Sequence, residues 1–565
     1  MKASDAIVAF LERKGIECVF GYQGGMITHL VDSISRSRKV RFIQCYHEQS
    51  AAFAAEGYAR ESGKFGVCIT TSGPGATNAI TSVANAYFDS IPVLYITGQV
   101  NSYEYKYSSR VRQRGFQETD IVSVARPIAK AAEMVDDPAN LMDSLEKAVD
   151  TMTSGRMGPV LLDIPMNVQR AEIDGKARNE AIVRQEAPAR CDDSASRAIA
   201  AFKEAKRPLV LCGGGLAERT ANAAARRFLA ETGLPYVVTL MGKGLVDESH
   251  GGFAGMIGSY GNRAANMVLS ESDAVLCLGS RLDSRQLGNR SSDILSRICF
   301  IRVDVDGDEL SDRPLAKQIA VHMRLQDFLG LREFAGAGIR ASGEWLGRIS
   351  AIGSAQSQRD DVRMHAENTI PYDAISAISK AADDDALFVA DVGQNQMWAA
   401  QTIKCSGGRS FRTSGGMAPM GYAVPAAAGA AFANPNRQIV CICGDGGLHI
   451  STQSLMLVSQ YRLPVAIVVV NNHALGMITQ FQKLYFGGNL HGTTASGGYM
   501  TPDWSMMARS YGLDYRLVSP DNVTPQLLRG PILLEIDTQG LTTVVPKLEY
   551  DKGLRDMSPP WPVDP

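Results

Sequence analysis

The sequence predicts an α/β protein of three domains, each built on a parallel sheet flanked by helices. Short β-rich runs alternate with helical stretches, the pattern of a parallel sheet whose crossovers are helices. Polar segments at 170–193 and 342–365 interrupt that alternation twice. The length, 565 residues, suffices for three or four compact units at roughly 150 residues each.

In chain order, MKASDAIVAFLERKG sets Ala6, Ile7, Phe10 and Leu11 on one helical face. It lacks the apolar stretch and cleavage site of a signal peptide, so a cytoplasmic location is expected. Strands at 64–70, 92–97 and 160–164, with helices at 48–61 and 77–89, define a first domain over 1–170. A second series, with strands at 208–212, 236–240, 274–278 and 300–304, gives a domain over 194–341. The third, over 369–545, has strands at 387–391, 438–443, 465–470 and 531–536. The end, 546–565, closes in MSPPWPVDP and reads as an extended tail, because proline interrupts helices.

Composition excludes several classes of function. Lys plus Arg total 57 and Asp plus Glu 59, a formal charge of −2, which offers no field for nucleic acid or an anionic membrane. The apolar run Leu463–Val470 falls well short of the roughly 20 residues that cross a bilayer. The 10 cysteines contain no CxxC, and Cys441 and Cys443 have no histidine nearby. They read as reduced packing residues.

The chemistry concentrates in the third domain. The strand at 438–443 ends in Gly444-Asp445-Gly446-Gly447, and the strand at 465–470 ends in Asn471-Asn472, with the 24 residues 447–470 between Gly444-Asp445-Gly446 and Asn471-Asn472. Both therefore emerge at the carboxyl edge of a parallel sheet, where open α/β folds bind ligands. An Asp carboxylate, an Asn amide oxygen and a loop carbonyl are hard oxygen ligands suited to Mg²⁺. The glycines let backbone N–H groups approach phosphate oxygens.

This pair resembles the metal and diphosphate motif of thiamine-diphosphate-dependent enzymes. The segment Tyr46-His47-Glu48-Gln49-Ser50-Ala51-Ala52-Phe53 is similar to the family's stretch in which the glutamate contacts N1′ of the aminopyrimidine. A carboxyl in an apolar setting can share a proton with that nitrogen. Over nearly the whole chain the resemblance is to the catalytic subunit of acetolactate (acetohydroxyacid) synthases. It is carried by 20–25 (FGYQGG), 71–78 (TSGPGATN), 116–120 (FQETD), 154–159 (SGRMGP), 391–394 (DVGQ), 421–425 (GYAVP) and 476–480 (GMITQ).

The resemblance implies a pyrimidine-binding first domain, a central flavin-binding Rossmann-like domain and a diphosphate-binding third domain. Asp445, Asn472 and the Ala474 carbonyl would hold Mg²⁺, and Gln394, Asn395, Gly446 and Gly447 the diphosphate. Glu48, Gly25, Gln117 and Met420 take catalytic positions, Met420 as the apolar pedestal that bends the cofactor. FAD is expected on Gly213, Gly214, Gly215, Thr239, Leu240, Met241, Gly279, Arg281, Asp283, Arg285, Asp304 and Val305, with Arg156 from the first domain. The family's Gly-Asp-Ala near the end of the flavin domain has no counterpart around 320–324. Met26, Met166, Met477 and Phe481 would line the acceptor pocket.

The implied activity is a carboligase that decarboxylates pyruvate and transfers a two-carbon hydroxyethyl unit to a second carbonyl, either a 2-keto acid or a ketone such as a nucleotide-linked keto sugar. The family's Lys is replaced by Met166, its Trp by Phe481 and a Pro by Gln23, which bears on the acceptor. A flavin-dependent pyruvate oxidase or a simple 2-keto acid decarboxylase are the alternatives. The decarboxylase is disfavoured because none of the 8 histidines is adjacent to another. An NAD-dependent dehydrogenase would explain Gly213–Gly215 and leave Glu48 without a role. A homodimer or homotetramer is expected, with Glu48 of one subunit facing the diphosphate site of another.

Overall fold

The computed structural model describes residues 1–174, 191–289, 292–312, 315–355, 357–549 and 551–560. Most of the first polar interruption, at 170–193, lies outside them, as do the last five residues of the tail.

Among the described residues there are three six-stranded parallel sheets. The first is ordered Arg41–Gln44, Cys18–Gly21, Gly66–Thr70, Val93–Gln99, Val160–Pro165, Ala131–Met134. The third repeats that topology with Ser410–Arg412, Leu387–Ala390, Ile439–Gly444, Val465–Asn471, Ile532–Asp537 and Asp514–Leu517. The central sheet runs Gln318–His322, Cys299–Asp304, Ala274–Leu278, Pro208–Cys212, Tyr236–Val238, Phe253–Met256. Counted in its own chain order this is 3-2-1-4-5-6 read backwards, the Rossmann order, with a switch point between Pro208–Cys212 and Ala274–Leu278. In the outer sheets the strand order reverses between the first and third strands of each series.

Burial follows from strand alternation. Along Val465–Asn471, Val465, Ile467 and Val469 join a core shared with the first domain, while Ala466, Val468 and Val470 join one shared with the central domain. The third domain is therefore gripped on both faces. The contact with the first domain is made by helices Glu48–Ser62 and Ala423–Ala433. A β-carbon on Gly57 would lie 2.0 Å from the Ala426 carbonyl oxygen, and one on Gly429 would lie 1.8 Å from that of Ala54. The two backbones touch only because each helix offers a glycine to the other.

Two segments differ from the sequence expectation. The polar stretch 342–365 forms helices Gly343–Ala355 and Gln358–His365, held by the few apolar side chains Trp345, Ile352 and Val362, all buried. The helix expected over 77–89 is two, Pro74–Asn78 and Ile80–Phe88. Within the expected tail, Lys547–Leu548 and Met557–Ser558 pair antiparallel.

Candidate active site

The carboxyl edge of the third sheet assembles the acidic and amide groups. Strand Ile439–Gly444 delivers Asp445 as the first residue of helix Asp445–Ile450, and the adjacent Val465–Asn471 delivers Asn472. The two side-chain oxygens converge on one amide: Ala474 N–H donates to Asp445 Oδ2 at 3.1 Å and to Asn472 Oδ1 at 3.2 Å. Gly446 N–H donates to Asp445 Oδ1 at 2.8 Å. Burial pushes the Asp445 carboxyl up to about 6, against these two amide donors.

The amides lock together behind it. Asn472 Nδ2 donates to Gln394 Oε1 at 2.9 Å, and Gln394 Nε2 donates to Gln480 Oε1 at 3.2 Å and to the Thr542 carbonyl at 2.9 Å. Asn395 Nδ2 is engaged by the Asp391 carbonyl at 2.8 Å. The Asp391 carboxylate in turn accepts N–H bonds from Val392, Gly421 and Ala423. Burial raises it to about 6 despite those donors. Asp391 thereby fixes the loop carrying Met420, whose methyl would lie 2.9 Å from a β-carbon on Gly446. A β-carbon on Gly447 would meet the Asp391 carboxylate at 3.0 Å.

At the first sheet's carboxyl edge, Glu48 opens helix Glu48–Ser62 and is buried. Its Oε2 accepts from Asn78 Nδ2 at 2.9 Å, and Gly75 leaves room for its Oε1. Gly24 lies against Thr71, Gly25 faces open space, and Met26 N–H donates to Thr71 Oγ1 at 3.2 Å. Gln117 has φ 63°, and its carbonyl would be 2.9 Å from a β-carbon on Gly73. The Met26 carbonyl accepts from Gln169 Nε2 at 2.7 Å, which ties it to the short helix Met166–Arg170. Met477 and Phe481 lie on helix Gly476–Tyr485 of the third domain; Phe481 is 52% exposed, its ring centroid 4.6 Å from that of Tyr485 and tilted by 54°.

Among the described residues no hydrogen bond or ion pair joins Glu48 or Asn78 to Asp445, Asn472 or Gln394.

A cavity of about 590 Å³ opens at the switch point of the central sheet. It is lined by Arg156, Gly214, Gly215, Thr239, Leu240, Met241, Gly279, Arg281, Asp283, Arg285, Asp304 and Val305. Gly213 alone of the expected set does not line it. A β-carbon there would sit 2.2 Å from the Gly279 carbonyl, so its role is to let two strand ends close on each other. Arg156 bridges domains, its Nη1 reaching Glu309 at 2.9 Å and Asp306 at 3.2 Å.

Sequence reasoning missed the walls supplied by the outer domains. Asp89 accepts N–H bonds from Gly415 and Gly416, and Arg60 and Arg412 reach the same cavity. The Gly415-Gly416 pair was the available signal. Missed too were Gln480, and Tyr499, whose hydroxyl faces the Asp445 carboxylate beside Gly446. The described residues contain no cluster of three or more His, Cys, Asp or Glu that could hold a metal.

Three parallel sheets, with an acidic and amide site on one outer sheet and a buried glutamate on the other, define the class of thiamine pyrophosphate enzymes. The family descriptions agree in chain order: the N-terminal TPP binding domain matches residues 1–124, the central domain 195–330 and the C-terminal TPP binding domain 391–536. The chain is 36% identical over 517 residues to the acetolactate synthase isozyme 1 large subunit of Escherichia coli, covering 90% of this chain and 88% of that one. To the isozyme 2 large subunit of the same organism it is 35% identical, covering 97% of both. To the acetolactate synthase large subunit of Lactococcus lactis it is 32% identical, covering 97% of this chain and 93% of the relative. The chain belongs to the thiamine pyrophosphate enzyme family, and it is an enzyme of the acetolactate synthase type. No described helix is long and apolar enough to cross a membrane.

Proposed function

We propose that the protein is a carboligase that splits CO₂ from pyruvate and joins the remaining two-carbon unit to a ketone. The convergence of Asp445 and Asn472 oxygens on the Ala474 amide carries this reading, because it builds a hard-oxygen corner beside two glycines that leave space for phosphate. Thiamine diphosphate supplies the nucleophilic carbon and the electron sink for decarboxylation. Asp445, Asn472 and the Ala474 carbonyl would hold Mg²⁺, and Gln394, Asn395, Gly446 and Gly447 would receive the diphosphate. The Tyr499 hydroxyl, which interacts with the Asp445 carboxylate, would help to hold that carboxylate toward the metal. Glu48, oriented by Asn78, would face N1′ of the aminopyrimidine and exchange a proton with it. Met420 supplies an apolar support.

The bond from the pyruvate carboxylate to its carbonyl carbon breaks, a carbon–carbon bond to the acceptor carbonyl forms, and the acceptor oxygen takes a proton. No electron leaves the system. The cavity at the Rossmann switch point fits FAD, which in this reaction has a structural role. The residues expected to line the acceptor pocket, Met26, Met166, Met477 and Phe481, are all apolar, which would favour a ketone with no carboxylate next to its reacting carbonyl over a second 2-keto acid. The names of the relatives favour this reading over an oxidase or a simple decarboxylase.

From the resemblance to acetolactate synthases we assign the working site to the junction of two subunits, in a homodimer or homotetramer, with Glu48 of one facing the Asp445 corner of the other. Ten free cysteines, with none paired, suit the cytoplasm. The test is an absorbance spectrum for flavin, then pyruvate turnover with and without thiamine diphosphate and Mg²⁺, with products trapped by mass spectrometry. Acetate or acetaldehyde as sole product, whatever acceptor is offered, would overturn the carboligase reading.

A further inference from the structure

We propose that the loop following strand Val93–Gln99 binds a nucleoside diphosphate carried by the acceptor, arginines taking the phosphates and exposed rings the base. This rests on the carboligase reading and names the part of the acceptor remote from its reacting carbonyl.

The stretch 103–116, YEYKYSSRVRQRGF, holds Lys106, Arg110, Arg112 and Arg114 against a single acid, Glu104. Its local charge is 4 − 1 = +3 in a chain whose net charge is −2. The loop is nevertheless built, not loose. Glu118, buried beneath it, accepts backbone N–H bonds from Lys106 at 2.9 Å, Arg114 at 2.7 Å and Gly115 at 3.1 Å. Gln113 Nε2 donates to the Glu118 carbonyl at 3.0 Å, and Lys106 Nζ to the Arg112 carbonyl at 3.0 Å. The one buried carboxylate is thus spent on backbone. The guanidinium groups of Arg110, Arg112 and Arg114 are exposed and, among the described residues, make no ion pair or hydrogen bond.

Aromatic rings stand among these cations. Phe116 is 79% exposed, Tyr103 67% and Tyr107 51%. Tyr107 is held in place by its hydroxyl bond to Asp136 and by the Tyr105 ring 5.0 Å away. Rings exposed in the single chain, within the same short loop as unpaired guanidinium groups, make a surface complementary to a flat, polyanionic ligand. Arginine matches phosphate oxygens bidentately, and rings offer a stacking face to any base.

Position ties this surface to the reaction. The loop ends at Gln117, against Gly73, which opens the helix carrying Asn78, the partner of Glu48. A ligand gripped by the loop has its far end directed at the Glu48 edge. A 2-keto acid would use one cation and no ring, so three arginines and three rings exceed what it requires.

The experiment is calorimetric titration of holoenzyme saturated with thiamine diphosphate, Mg²⁺ and FAD, so that those diphosphate sites are filled. Cytidine, uridine and adenosine diphosphates and inorganic pyrophosphate are the probes. At least one nucleoside diphosphate should bind more tightly than pyrophosphate. Arg110→Ala with Arg112→Ala and Arg114→Ala should weaken it tenfold or more. Phe116→Ala with Tyr103→Ala should weaken the nucleoside diphosphate and spare pyrophosphate. Arg38→Ala, an exposed cation outside the loop, should change nothing. In a second arm, a keto sugar linked to the favoured nucleoside diphosphate should be consumed with pyruvate faster than the free keto sugar, and the triple variant should raise KM for the linked form alone.

Absent binding, binding indifferent to the triple variant, or equal use of free and linked sugars overturns the proposal. So does a triple variant whose sedimentation shows altered subunit assembly, which would make the loop an interface between copies, or tighter binding of a single-stranded oligonucleotide. Acetolactate formed from pyruvate with nucleoside diphosphates ignored removes this proposal and leaves the carboligase standing. Binding through the loop without pyruvate turnover removes the carboligase instead.

Discussion

Gly476 and Gln394 interlock: a β-carbon on Gly476 would lie 1.9 Å from Gln394 Oε1 and 2.5 Å from Asn472 Nδ2. The amide pair behind the proposed metal corner can close only because this helix begins with glycine. Gly476→Ala should separate the two amides and weaken Mg²⁺-dependent thiamine diphosphate binding tenfold or more, with the fold intact by circular dichroism. Titration of cofactor into the variant measures it, and wild-type affinity would count against the interlock.

Glu48→Gln should keep fold and flavin while slowing deuterium exchange at C2 of bound thiamine diphosphate by about 10²–10⁴-fold, the usual worth of a positioned proton-transfer group. Asn78 can still hold an amide, so geometry is preserved and the proton is lost. Unchanged exchange removes Glu48 from its role.

Asp445→Ala deletes the only charged oxygen of the corner and should abolish Mg²⁺-dependent cofactor binding. The neutral oxygens of Asn472 and Ala474 do not replace it. Equilibrium dialysis with Mg²⁺ and cofactor decides the matter: retained binding moves the metal elsewhere.

Burial pushes Glu56 from 4.5 up to about 8, although Ser82 and Asn85 donate to it at 2.5 and 2.7 Å. The folded chain keeps this proton where the unfolded chain has lost it, so the contribution is full below about 4.5 and fades as pH rises toward 8. Asp163, raised to about 7 by burial, acts in the same direction. Apparent stability should fall between pH 5 and 8 by roughly 1.4 kcal/mol per pH unit for each proton released on unfolding. Glu56→Gln should flatten that slope. Urea midpoints at the two pH values, parallel in variant and wild type, would contradict it.

Met166→Lys with Phe481→Trp should shift preference from ketone toward 2-keto acid by about 1–3 kcal/mol in the kcat/KM ratio, the scale of modest pocket changes. Competition between pyruvate and a ketone as acceptors, run on both proteins, reads it. An unshifted ratio would show that these two side chains do not select the acceptor.

The central strands were legible because they are continuous apolar runs: Pro208–Cys212 and Ala274–Leu278 occupy the residues their sequences predict. Edge strands were not. Asp514–Leu517 is mostly exposed and Ala131–Met134 half-buried, so neither carries a hydrophobic signature. The metal corner could be read from GDGG and NN because adjacent parallel strands bring their ends together. The cavity walls could not, since Asp89, Arg60 and Gly416 meet only when two distant domains close. Gly213 misled for a related reason: a glycine wanted for strand packing looks, in sequence, like one wanted for phosphate.

The reciprocal glycines Gly57 and Gly429 bring the two outer domains of a chain into direct backbone contact. If each working site spans two subunits, one defective chain need not silence its neighbour. Glu48→Gln and Asp445→Ala chains, each inactive alone, should regain activity when refolded as a mixture, because a mixed pair contains one junction built entirely from intact halves and one carrying both lesions. At equal mixing, half the pairs are mixed and each has one of two junctions working, so about a quarter of wild-type activity is the ceiling. Such complementation between alleles is a genetic signature that a site confined to one chain could not produce.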